Sequence, residues 1–137
     1  MTVYRAPEYP GFPISKNYPA AVRRVLFVED EEALRRAYER YFAKRYEMSF
    51  AGSGAEALQR FDAFSPDVLV LDMQLPDTDG LEILKQMRER RPGLPVVVTT
   101  AYASMRPVIE VLGLGHSGFL VKPFELEELS KMIDAAV

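Results

Sequence analysis

The chain has 137 residues, 48% of them hydrophobic and 27% charged, with a net charge of -3. That is one ordinary domain with enough apolar residues for a core, and its acidic balance argues against a protein whose main work is gripping phosphate backbones. With no cysteine, disulfides, thiolate metal sites and a cysteine nucleophile are excluded.

Residues 1–21 stand apart, because Pro7, Pro10, Pro13 and Pro19 alternate with Tyr4, Tyr9, Phe12 and Tyr18. Prolines at that density forbid helix and central strand, so an extended arm is expected, either a leader on the surface or a docking segment. The domain is expected over residues 22–137. VLFV (25–28), DVLVL (67–71) and PVVVTT (95–100) are short and β-branched or leucine-rich, as in parallel strands covered on both faces. YEMSFA (46–51) alternates like a half-exposed edge strand, and GFLV (118–121) is a short last strand. Between them, apolar residues recur at helical spacing: Leu34, Tyr38, Tyr41 and Phe42; Leu58 and Phe61; Leu81, Leu84 and Met87; Met105, Val108, Ile109 and Leu112; Leu126, Leu129 and Ile133. These stripes are expected to be core. Five β-α repeats with right-handed crossovers predict an α/β fold, a doubly wound parallel sheet in the order 2-1-3-4-5. No apolar run approaches the roughly 20 residues that span a bilayer, and no signal pattern opens the chain, so a soluble, cytoplasmic protein is expected.

Ligands of such sheets bind beyond the carboxyl ends of the strands. There the chain places Glu29 and Asp30, Asp72, Thr99 and Thr100, and Lys122 followed by Pro123. A carboxylate ending a buried strand, as Asp72 does, must be hydrated, paired or metal-bound. Clustered carboxylates suit a small divalent ion such as Mg2+, while a lysine and a hydroxyl suit phosphoryl oxygens. Metal, lysine and hydroxyl around one aspartate describe phosphoryl transfer to that aspartate.

Through FVEDEE, VLVLDMQLPDTDGLEIL, TTAYAS and GFLVKPFELEEL, in order and spacing, the chain from about Arg23 to Val137 resembles a response-regulator receiver domain of two-component signal transduction. The resemblance implies a flavodoxin-like (βα)5 fold. It also implies that Asp72 accepts a phosphoryl group from a histidine kinase's phosphohistidine, with magnesium held by Asp30, Asp72 and the backbone carbonyl of Gln74. Glu29 would act on the metal through water, Thr100 and Lys122 would bind phosphoryl oxygens, and the small Ala101 would leave room for them. Asp77 and Asp79 read as turn and helix-capping residues, since Gly80 and Leu81 begin a helix.

Other motifs compete. GSGAEA (52–57) matches a dinucleotide fingerprint, but it follows the expected edge strand, and Ser53 with Glu56 reads as a capping box. DTDG resembles part of a calcium loop, yet Leu75 and Gln86 fall where carboxylates are required. An aspartyl-phosphate hydrolase would want a second acid where Gln74 stands. The chain is therefore not expected to be an enzyme beyond its own phosphorylation and dephosphorylation.

Where the family carries its switch aromatic stands Phe119, which lacks a hydroxyl; together with Thr100 it is the expected switch. His116 reads as ordinary structure. Pro107 is expected to start or distort the fourth helix. The expected partners are a sensor histidine kinase or phosphotransfer protein, an output protein or an output domain beyond this sequence, and a homodimer formed on phosphorylation, with neither nucleic acid nor membrane bound directly. TTAYAS resembles receivers of transcriptional activators, so a stand-alone receiver and one cut from a longer protein both remain open. A binding-only pseudo-receiver is the alternative.

Overall fold

The computed structural model describes residues 23–136, so the arm expected over residues 1–21 lies outside the described residues. In chain order the elements are β1 (Arg23–Val28), α1 (Glu32–Phe42), β2 (Tyr46–Ala51), α2 (Gly54–Phe64), β3 (Val68–Asp72), α3 (Gly80–Arg90), β4 (Val96–Thr100), α4 (Met105–Val111), β5 (Gly118–Val121) and α5 (Leu126–Ala135). The strands form a single five-stranded sheet in the order β2-β1-β3-β4-β5, with every neighbouring pair parallel. It is the doubly wound sheet expected from the alternation of apolar runs and helical stripes.

The strand pleat divides the core. Leu26, Val28, Leu69 and Leu71 point into a cluster with Ala57, Phe61, Ile83, Leu84, Met87 and Ile109 from α2, α3 and α4. Their neighbours Val25, Phe27, Val68 and Val70 point the other way, against Tyr38 and Phe42 of α1 and Leu129 and Ile133 of α5. The Phe27 ring lies 4.9 Å from Tyr38, 5.6 Å from Phe42 and 5.4 Å from Phe50, an aromatic stack that pins β1 to α1 and β2. Full burial of such side chains contributes roughly 1.5–3 kcal/mol each, so these two layers fix the height of the strand ends that carry the polar residues.

Two helical stripes are narrower than expected. Tyr41 is exposed and sets its ring edge-on to Phe42 at 5.0 Å, whereas Tyr38 and Phe42 are buried and Leu34 packs half-buried against the same cluster. Among the described side chains of α4 only Ile109 is fully buried, while Val108 and the following Leu112 are exposed. A seven-residue helix makes about two turns, and besides Ile109 its Met105 packs half-buried against the same core. Pro107 falls in its first turn, where the missing N–H would have had no helical partner, so it is accommodated in a helix that starts at Met105. The edge strand β2 also departs from simple alternation: Tyr46 and Ala51 are buried and the four residues between are half-buried.

Candidate functional site

At the end of β1 the ladder continues one residue further, with the Glu29 N–H donating to the Ala51 carbonyl at 2.9 Å. The Glu29 side chain turns inward and is 1% exposed, while the next residue, Asp30, stays in solvent. Asp72, the last residue of β3, is also 1% exposed. On β4, Thr99 pairs in register with Asp72, which sets the buried Thr100 one step further along beside it. Lys122 follows β5, its N–H bonded to the Thr100 carbonyl at 2.7 Å, and its peptide to Pro123 is cis.

These strand ends bring their side chains together. Lys122 Nζ donates to Glu29 Oε1 at 2.8 Å and to Asp72 Oδ2 at 3.1 Å. Oxygens of Glu29, Asp30 and Asp72 lie within 4.8 Å of one another. The Glu31 N–H holds Glu29 Oε2 at 3.1 Å, and the Gln74 N–H holds Asp72 Oδ1 at 3.0 Å. Burial pushes the Glu29 carboxyl from 4.5 up to about 7 and Asp72's charge adds to this, against the pull of the Lys122 hydrogen bond. Burial would lower Lys122 as well, but Glu29 and Asp72 outweigh it and hold the ammonium above the ordinary lysine range. With all three carboxylates ionised, one ammonium leaves two negative charges uncompensated, the complement of a divalent cation.

The loop after Asp72 is held by its own carboxylates. Asp79 is the N-cap of α3 and accepts the Glu82 N–H at 2.9 Å. Asp77 reaches across to α2, accepting the Gly54 N–H at 2.8 Å and the Ala55 N–H at 3.0 Å, bonds that hold its carboxyl below the usual range. Asp77 thus caps the neighbouring helix, which spacing along the sequence could not reveal. Ser53 caps Glu56 at 3.2 Å, whereas Glu56 accepts from Gly52 at 2.7 Å, one residue earlier than in a strict capping box. The first amides of α2 are therefore already occupied, and the GSGAEA turn offers no cradle for a dinucleotide.

Two glycines let this loop pack closely. A Cβ on Gly54 would meet Thr78 Cγ2 at 2.4 Å, and one on Gly80 would meet Met73 Cα at 2.5 Å and the Asp72 carbonyl oxygen at 2.9 Å. The Gly80 contacts are backbone and cannot rotate away. Gly80→Ala should cost about 2–3 kcal/mol and displace the backbone behind Asp72. Chemical denaturation checks this, and an unchanged midpoint would contradict it.

Gln74 was expected to matter only through its backbone carbonyl, but its side chain spans the site. Thr100 Oγ1 accepts from Gln74 Nε2 at 2.9 Å and from the Tyr102 N–H at 3.0 Å, and donates to Gln74 Oε1 at 3.2 Å. The same Oε1 accepts the Ala101 N–H at 3.0 Å. Phe119 lies apart from these groups, half-buried against the α2–α3–α4 core, with the His116 ring 5.8 Å away and the Arg106 guanidinium 6.0 Å from its centre.

The molecule is thus an open, doubly wound α/β domain with an acidic site and one lysine at the carboxyl edge of its sheet. A family model for the response regulator receiver domain matches residues 25–134, and the chain belongs to that family. It is 36% identical over 118 residues to the regulatory protein AtoC of Escherichia coli (strain K12), covering 85% of this chain and 26% of that one. It is 44% identical over 109 residues to the transcriptional regulatory protein TrcR of Mycobacterium tuberculosis, covering 77% and 42%. The chain spans less than half the length of these two relatives. Among solved structures it is similar to the chemotaxis protein CheY4 of Vibrio cholerae (TM-score 0.77, 29% identity, 85% of this chain and 100% of that one). It is also similar to the response regulator TrrA of Thermotoga maritima (TM-score 0.76, 26% identity, 85% and 100%).

Proposed function

We propose that this receiver domain is a magnesium-dependent phosphoacceptor switch with Asp72 as the residue modified. The observation that carries the reading is the buried Asp72 carboxylate, 3.1 Å from the Lys122 ammonium and grouped with Glu29 and Asp30. An Asp72 oxygen attacks phosphorus of a partner's phosphohistidine; the P–O bond forms as the P–N bond breaks, and the imidazole leaves with the electron pair. Lys122, 3.1 Å from Asp72 Oδ2, would bind an oxygen of the incoming group and offset negative charge gathering there. Asp30, Asp72 and the Gln74 carbonyl would hold magnesium, with Glu29 acting through water. When bound, the ion supplies charge neutralisation at the phosphoryl oxygens. The related TrrA was solved in complex with Mg(2+)-BeF, which supports the same chemistry here.

Thr100 is the residue that would report modification by moving to a phosphoryl oxygen, and Phe119 would follow into the space vacated. The surface of α4, β5 and α5 then changes for an output partner or for a second copy of the chain. In this reading the chain turns over no substrate beyond its own modification, works in the cytoplasm, and forms its unit over residues 22–137. Among the described residues no helix is long and apolar enough to cross a membrane.

The test is an intact-mass measurement after incubation with a small acyl phosphate. One phosphoryl group should be added with magnesium present and none with a chelator. No addition under either condition would favour a binding-only pseudo-receiver.

Metal binding carries its own pH signature. Glu29's carboxyl is raised in the fold, so its contribution to stability is fully present below 4.5 and is lost as pH rises through about 7. The metal-free protein should lose stability from this group across that window, and magnesium should restore most above it. At 100 times its dissociation constant the ion contributes about 2.7 kcal/mol. Thermal melts should therefore show a larger magnesium-induced rise at pH 8 than at pH 5.5; equal rises would contradict the assignment.

A further inference from the structure

Gln74 does something the phosphoacceptor chemistry does not ask of it. Its backbone N–H holds Asp72 Oδ1 at 3.0 Å, and its side chain crosses to the end of β4. There the Thr100 hydroxyl at 3.2 Å and the Ala101 N–H at 3.0 Å both donate to one atom, Gln74 Oε1. Two donors aimed at one oxygen, beside a carboxylate on the adjacent strand, have the geometry of a small oxyanion site. In this structure the oxygen filling it belongs to the protein itself.

We infer that the Gln74 carboxamide is an internal latch, its Oε1 standing where an oxygen of a phosphoryl group on Asp72 would be received. This rests on the phosphoacceptor reading and adds a competitor to it. When an Asp72 oxygen forms its bond to phosphorus and an acyl phosphate's P–O bond breaks, releasing the carboxylate with the electron pair, the new phosphoryl oxygens need donors. Thr100 and Ala101 can serve only once Gln74 lets go. Gln74 Nε2 also approaches Thr100 Oγ1 at 2.9 Å, so the same carboxamide engages the hydroxyl through both of its polar atoms. The latch therefore opposes both capture of the phosphoryl group and the movement of Thr100 that would transmit it.

The latch can be tested by comparing wild type with Gln74→Ala and Gln74→Glu. Beryllofluoride with magnesium serves as the phosphoryl mimic, and acetyl phosphate as the donor. Alanine keeps the backbone carbonyl expected to face the metal but removes the competing oxygen. Gln74→Ala should bind beryllofluoride about tenfold more tightly and take up phosphoryl faster by a similar factor, the worth of roughly one net hydrogen bond. Gln74→Glu, a charged and stronger acceptor for the same donors, should bind it more weakly than wild type. Amide hydrogen exchange of the unmodified proteins gives a readout independent of phosphorylation: the Ala101 amide should exchange about tenfold faster in Gln74→Ala. Unchanged Ala101 exchange, or beryllofluoride affinity in Gln74→Ala equal to or below wild type, would overturn the latch. If neither wild type nor Gln74→Ala binds the mimic or accepts phosphoryl, the phosphoacceptor reading fails and the latch with it. If both do so equally, only the latch fails.

Discussion

Asp72→Asn should abolish phosphorylation while leaving the fold intact. Asparagine keeps an oxygen to accept the Gln74 N–H that now bonds Asp72 Oδ1 at 3.0 Å, so the turn after β3 retains its anchor. What it loses is the nucleophile, because a carboxamide oxygen cannot form a stable acyl phosphate. Lys122 keeps Glu29 at 2.8 Å, and the trio of carboxylates falls to two, which relieves repulsion in a desolvated site. Metal-free stability should therefore stay near level at pH 8, the lost Lys122 bond to Asp72 Oδ2 at 3.1 Å offsetting the relieved repulsion. Denaturant melts paired with intact-mass measurements separate the two effects. Undiminished phosphorylation of a folded Asp72→Asn protein would move the nucleophile elsewhere.

Lys122→Ala should damage both stability and chemistry. Glu29 and Asp72, each 1% exposed, would face one another without a cation, and removing one partner of a buried pair typically costs about 3–5 kcal/mol. Part of that is recovered when a carboxylate takes a proton. Glu29, already raised to about 7 by burial and by Asp72, would rise further without its lysine. The loss of stability should therefore be large at pH 8, smaller at pH 5, and reduced by magnesium at pH 8. Phosphorylation should fall about 10²–10³-fold, as for loss of one preorganised charge-stabilising donor. Melts at both pH values, with and without magnesium, would contradict this account if the variant matched wild type throughout.

Most of the fold was legible because parallel strands covered on both faces must be apolar throughout. VLVLD is buried at every position, and the strand order follows from right-handed crossovers between such runs. The convergence of Glu29, Asp30, Asp72, Thr100 and Lys122 was legible for a related reason, since each follows or ends a strand and strand ends share one edge. Side-chain reach was not. Gln74 looks like any polar loop residue until β4 places Thr100 and the Ala101 amide beside it. Asp77 caps a helix that precedes it by more than twenty residues, a contact that loop packing alone creates. The α4 stripe misled because periodicity shows which residues share a face, but not whether a short helix has anything to bury that face against.

The measurement that bears most directly on the central claim is location of the modified residue. The protein would be phosphorylated with acetyl phosphate and magnesium, reduced with borohydride, which converts an aspartyl phosphate to homoserine, and mapped by peptide mass spectrometry. The account predicts one converted residue, at position 72. Conversion at another carboxylate, or none in protein whose intact mass has gained a phosphoryl group, would contradict it.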